Sequence, residues 1–143
     1  LRAESTYNVA SEIDRLKSSG GNGELFMKSY GGVSLHNQSH GESFMAIMKN
    51  RFSGHGLYIL DEPEAALSPS RQMAMLALMK RLVDQDSQFI ISTHSPILMA
   101  YPEAEIIELD ETGFRSTPYK ETTHYRLTNY FLNNTEQMLN ELM

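Results

Sequence analysis

Val9, Ile13 and Leu16 fall at i, i+4 and i+7, the spacing of one helix face. Residues 6–17 are therefore expected to form an amphipathic helix, with Ser5 as its N-cap. Residues 18–23 (SSGGNG) close it as a flexible loop. Residues 25–35 follow neither period and contain a Gly31-Gly32 turn. Phe44, Ile47, Met48 and Phe52 draw a second helical stripe, closed by residues 53–56 (SGHG). Residues 57–60 (LYIL) are a continuous apolar run, which predicts a strand buried on both faces. Ser68-Pro69 opens the next helix, serine as N-cap and proline at the first helical position. Met75, Leu76, Met79, Leu82 and Val83 form its expected buried stripe.

Residues 89–91 (FII) predict a second buried strand, and Ser95-Pro96 repeats the helix-opening pair before Tyr101-Pro102 ends that short helix. Residues 105–109 and 114–118 flank DETG at 110–113, the pattern of a β-hairpin. Tyr125, Thr128, Phe131 and Leu132 predict a helix. Asn134 with Gln137 reads as a capping box for a last one, with Met138, Leu139 and Leu142 toward the core. Strand and helix thus alternate, which predicts an α/β fold: a mostly parallel sheet with flanking helices and an antiparallel hairpin edge. Ligands of such sheets lie beyond the carboxyl ends of the strands. That rule selects Asp61-Glu62 after the first apolar run and Ser92-Thr93-His94 after the second.

Composition narrows the picture. The 143 residues suit one modest domain, and 41% hydrophobic with 21% charged residues is ordinary for a globular chain. Without cysteine there is no disulfide or thiolate metal site, which fits a reducing, cytoplasmic setting. The formal charge of −6 argues against a broad nucleic-acid footprint, since phosphate neutralisation needs clustered Lys and Arg. No apolar run approaches the ~18 residues that span a bilayer, and no signal-peptide pattern opens the chain. The sequence starts at Leu1 rather than Met and is read as a fragment of something longer.

Adjacent carboxylates at a strand end point to opposite sides, so one can hold Mg²⁺ through water while the other orients or deprotonates a water. Phosphoryl transfer asks little more of a protein than positioning and charge neutralisation. Taken alone, Asp61-Glu62 reads first as a solvated strand end. His94 offers a hydrogen bond to a phosphate or water, or else helps to cap the helix opened by Ser95. The remaining histidines, His36, His40, His55 and His124, show no metal-ligand spacing, and no zinc site is expected. Residues 39–43 (SHGES) feed a helix start, where backbone N–H groups and a serine hydroxyl form an anion site; an ordinary cap by Ser39 on the N–H of Glu42 is the other reading.

In order, these pieces match one known arrangement. QSHGES (38–43) resembles the signature of ABC-type ATPases, LYILDEPEAAL (57–67) resembles their Walker B segment and D-loop, and IISTHS (90–95) resembles their switch-histidine loop. The wording looks most like the soluble bacterial ATPases related to SMC and RecF-type heads. The resemblance implies that residues 1–143 are the C-terminal portion of one ATP-binding domain, a partial P-loop NTPase fold. The D-loop would fall at 65–68 and the C-terminal helices at 122–142. It implies ATP and Mg²⁺ as cofactors, with Asp61 anchoring the metal through water and Glu62 polarising the attacking water. His94 would touch the γ-phosphate. Ser39, Gly41 and Glu42 would serve a nucleotide held by the opposite member of a head-to-tail homodimer. A DNA or protein effector is the further partner class, and direct membrane contact is not expected.

The sequence departs from the family pattern in places. His40 replaces the first signature glycine, Glu42 replaces glutamine, and Ser68 stands where the D-loop usually has aspartate. The Q-loop glutamine is not identifiable, although Glu4 sits where such a residue would fall. Nothing reads G-x-x-x-x-G-K-[ST]. Without that loop there is no backbone nest or lysine for the β-phosphate. The expectation is an ATPase as a full-length protein whose isolated 143-residue chain binds ATP weakly and does not turn it over. The alternatives are a nucleotide-gated dimerisation or regulatory module without turnover, and an ABC transporter ATP-binding subunit.

Overall fold

A computed structural model describes residues 15, 39–111 and 113–143. The expected helix at 6–17, apart from helical and exposed Arg15, lies outside the described residues, as do the loop at 18–23, the segment at 25–35 and Glu4. The chain divides into two compact units, Leu1–Thr93 and His94–Met143.

In the first unit, helix α1 (His40–Arg51) leads to strand β1 (Leu57–Asp61). A 3₁₀ turn (Pro63–Ala66), helix α2 (Pro69–Val83) and strand β2 (Gln88–Ser92) follow. Strands β1 and β2 pair in parallel, in register from Leu57↔Gln88 to Asp61↔Ser92. Parallel neighbours need a crossover, and α2 with its preceding turn supplies it. Phe44 and Met48 of α1, Leu60 of β1, and Met75 and Leu82 of α2 are fully buried and form the centre of this unit's core.

The apolar stripes on α1 and α2 fall close to where their spacing predicts, with amendments. Phe52 lies just past the end of α1 and is half-buried. In α2 Leu78 joins the buried set, Leu76 is only half-buried and Val83 is exposed. The α1–β1 junction is fastened by Phe52 stacked on Tyr58, ring centroids 4.0 Å apart, and by the Tyr58 hydroxyl donating to the Ser53 carbonyl at 2.7 Å.

Burial of the strands on both faces does not hold. Leu57 and Ile59 are 59% and 60% exposed, and Ile90, opposite Ile59 in the ladder, is 52% exposed. Side chains alternate across a strand, and among the described residues only one face of this sheet is packed. A run of four apolar residues does not say how many layers will cover it.

In the second unit, helix α3 (Pro96–Met99) precedes strands β3 (Ile107–Asp110) and β4 (Gly113–Ser116). A second 3₁₀ turn (Tyr119–Glu121), helix α4 (Thr123–Asn133) and helix α5 (Thr135–Leu142) complete it. The hairpin is antiparallel, with Asp110 opposite Gly113, and among the described residues it is a sheet of its own rather than an edge of β1–β2. Gly113 has φ +116°, a backbone angle that favours glycine at this corner.

Ser95 caps α3 as expected, accepting from the N–H of Ile97 and Leu98. The capping box at Asn134 does not form: its amide turns back and donates to the Tyr130 carbonyl, and Gln137 donates to Glu141. No residue of α4 or α5 is buried, and Leu142, expected to face the core, is 73% exposed. Among the described residues no helix is long and apolar enough to cross a membrane.

Candidate functional site

The carboxyl end of β1 places Asp61 and Glu62. Asp61 is the last ladder residue, half-buried and paired with Ser92. Glu62 follows in the left-handed region, φ 46° and ψ 53°. For a residue with a Cβ this conformation costs about 1–2 kcal/mol. Two hydrogen bonds hold it there. The Glu62 N–H extends the ladder by donating to the Ser92 carbonyl at 2.9 Å, and its own carbonyl accepts from the Ala65 N–H at 3.1 Å, closing the 3₁₀ turn. Buried Pro63, with its fixed φ, starts that turn. The strand thus ends in an abrupt corner whose exposed corner residue is a glutamate. Beyond it Thr93 Oγ1 donates to Glu64 at 2.7 Å, and buried Gln72 donates to the Leu67 carbonyl at 2.9 Å. Both bonds fix the path from Glu62 toward α2.

Ser39, Gly41 and Glu42 are brought to this same turn. Ser39 is the N-cap of α1 in a complete capping box: its Oγ accepts from the Glu42 N–H, and the Glu42 carboxylate accepts from the Ser39 N–H at 2.8 Å. Arg71 of α2 closes the cluster, donating to Ser39 Oγ at 3.1 Å and pairing with Glu42 at 3.0 Å. Buried Gly41 packs so closely on the turn that a Cβ there would stand 2.5 Å from the Ala66 carbonyl oxygen and 2.7 Å from Arg71 Nη1. The Ser39 N–H, and secondarily its hydroxyl, lower the Glu42 pKa, with a smaller contribution from Arg71. The Glu42 carboxylate thus takes up the Ser39 N–H and hydroxyl, while the Glu42 N–H is taken by Ser39 Oγ.

His94 belongs to the second unit, two residues past the end of β2, and is exposed. Its Nδ1 lies 3.2 Å from Nε2 of His124, the second residue of α4.

Reading the sequence alone missed both Arg71 and His124. Arg71 left one trace: a cation in the first turn of a helix faces the unfavourable end of the helix dipole, a local misfit that calls for a partner elsewhere. His124 left none, being thirty residues from His94 with no motif between them.

Asp61 is a fitting donor for Mg²⁺, which takes one or two carboxylates and fills its octahedron with water and phosphate oxygens. Among the described residues no group of three or more His, Cys, Asp or Glu side chains gathers into an all-protein metal cage.

A family model described as AAA ATPase domain matches residues 21–99, a span that contains Ser39, Gly41, Glu42, Asp61, Glu62 and His94. No curated protein matches the chain. The matched span exceeds half of the sequence, and the chain belongs to the AAA ATPase domain family.

Proposed function

We propose that, within this ATPase family, the chain is the C-terminal part of an ABC/SMC-like head, and that it carries the hydrolytic carboxylate of the site. The observation that supports this best is the corner at Glu62. A glutamate kept in a left-handed conformation by the sheet on one side and a 3₁₀ turn on the other is costly backbone strain. His55, Asp86 and Glu103 also have positive φ, but among these four only Glu62 directly follows a carboxylate at the carboxyl end of a strand, where strain can serve chemistry. Asp61, half-buried at the strand end, is the residue that would hold Mg²⁺. Glu62, exposed one position on, orients the attacking water and takes up its proton. Bound Mg²⁺ supplies charge neutralisation on the phosphate oxygens.

In this reading His94 donates a hydrogen bond to the γ-phosphate. Ser39 and Gly41 form the signature that serves a nucleotide held by a second copy, with the phosphate nest supplied by a Walker A loop outside these 143 residues. The Ala65–Ser68 segment, against which Gly41 packs, is the stretch that meets the partner in a head-to-tail dimer.

Replacing Glu62 by Gln in the full-length protein separates binding from chemistry. The side chain keeps its size and its strained backbone but cannot take up a proton. ATP affinity is expected to stay within about twofold of the parent, while phosphate release falls by about a hundredfold or more. Unchanged phosphate release would remove Glu62 from the chemistry. The alternative of a nucleotide-gated module without turnover predicts no ATP-dependent phosphate release by the unsubstituted protein, so the parent measurement in the same assay decides between them.

A further inference from the structure

The contact between His94 and His124 is not used by the proposed hydrolytic chemistry. Two imidazoles 3.2 Å apart, Nδ1 to Nε2, share one hydrogen bond, and such a bond needs one ring to donate and the other to accept. It therefore constrains which nitrogen of each ring carries a proton. The rings are tilted by 55° with centroids 4.9 Å apart, so this is an edge-on hydrogen-bonding approach rather than a stack.

His124 is the more buried of the two residues. It is half-buried in the first turn of α4, whose start is fixed by the fully buried N-cap Thr122. Thr122 Oγ1 accepts from the Tyr125 N–H and donates to the Tyr119 carbonyl at 2.8 Å. Tyr119 in turn packs its ring on Tyr125 and donates its hydroxyl to the Pro96 carbonyl, two residues after His94. The His124 backbone is thus tied to the start of α3, directly beside the loop that carries His94, while His94 itself is exposed.

We infer that His124 is a positioning residue for His94. When His124 Nε2–H donates to His94 Nδ1, the proton of a neutral His94 ring must sit on Nε2, the form that can donate to a phosphate oxygen or a water. When His94 is protonated, its Nδ1–H donates to His124 and its Nε2 again carries a proton. In both of these states His94 Nε2 carries a proton and the contact fixes the plane of the ring. The remaining arrangement, a neutral His94 donating from Nδ1, would leave Nε2 bare, and His124 is inferred to be the donor instead. This inference rests on the proposed phosphate-facing role of His94.

The test uses the full-length protein labelled with ¹⁵N-histidine, in which long-range ¹H–¹⁵N spectra report which ring nitrogen is protonated. At a pH where His94 is neutral, its Nε2–H tautomer should predominate in the parent and give way to a mixture in His124→Ala. With that change kcat should fall about tenfold while KM stays within about twofold. In His124→Gln the side-chain amide can replace the Nε2–H donor, and it should recover most of the turnover and the parent tautomer. An unchanged His94 spectrum in His124→Ala overturns the inference. So does a loss of turnover in His94→Ala that His124→Ala does not share. If His94→Ala itself leaves turnover unchanged, the phosphate-facing reading falls, and the spectrum alone judges whether His124 sets the His94 tautomer.

Discussion

The two ends of polypeptide that meet at the 3₁₀ turn are built on opposite principles. At the start of α1 the capping preferences are met. Serine caps, glutamate returns the bond, and Arg71 neutralises the pair from the next helix. At the end of β1 the chain does the reverse, placing a β-carbon-bearing residue in left-handed space where glycine or asparagine would sit at lower cost. Comparing them shows which observation bears on function. A relaxed capping box is explained by stability alone, whatever else it does. A strained corner is not, and of the four non-glycine residues with positive φ among those described (His55, Glu62, Asp86 and Glu103) only Glu62 stands at the carboxyl end of a strand.

The largest test of that contrast is Glu62→Gly. Glycine relieves about 1–2 kcal/mol of left-handed strain and gives back about 0.5–1 kcal/mol in unfolded-state entropy. The net expectation is a gain of about 0–1.5 kcal/mol in chemical unfolding, together with a loss of phosphate release at least as deep as that of Glu62→Gln. Stability and activity would then move in opposite directions at one position. If Glu62→Gly destabilised the fold, the corner would not be strained and the comparison would collapse.

Gly41→Ala probes the other side of the turn. In an unencumbered helix this change is stabilising, by about 0.8–1.0 kcal/mol of helix propensity. Here the new methyl meets the Ala66 carbonyl oxygen at 2.5 Å, a backbone atom that cannot swing aside. Overpacking of this kind costs about 1–3 kcal/mol, so a net loss of stability is expected in thermal or urea melts. A gain would mean that α1 and the turn are free to separate. That outcome would sharpen the contrast by making the relaxed side also the yielding one.

What could be read from the sequence follows the same division between local and distant causes. The two strands, the Ser39 cap and the Ser95-Pro96 helix start are set by neighbours within a few residues, and all are where the pattern predicts. The exposure of Leu57, Ile59 and Ile90 departs from the pattern because covering a strand face depends on layers that the run itself does not encode. The Asn134 cap failed because its amide found a carbonyl in the preceding turn, a competition open to any Asn near a helix end. Asp61 and Glu62 were singled out as candidates by their place after an apolar run, yet the left-handed backbone at Glu62 had no sequence marker. Asn or Gly there would have announced it. Arg71 and His124 depend on contacts across 32 and 30 residues, beyond the reach of any local period.

The smallest expected effect concerns the pH dependence of the relaxed side. Hydrogen bonds from the Ser39 N–H, then its hydroxyl, hold the Glu42 pKa below its ordinary value near 4.5, with Arg71 adding less. A carboxylate whose folded pKa is depressed stabilises the fold fully above the unfolded value and loses that contribution as pH falls through the folded one. Thermal melts should therefore lose stability below about pH 4.5, and Glu42→Gln should flatten that part of the curve. The Glu108 carboxyl, lowered chiefly by the Thr123 N–H, responds with the same sign, so the difference between parent and Glu42→Gln is the quantity to follow. Salt separates the two sources of the Glu42 shift. Screening weakens the exposed ion pair with Arg71 but leaves the short-range bonds from Ser39 largely intact. The difference should thus survive added salt. Were it to vanish, Arg71 rather than the capping box would govern the start of α1, and its ease would depend on α2 staying in place.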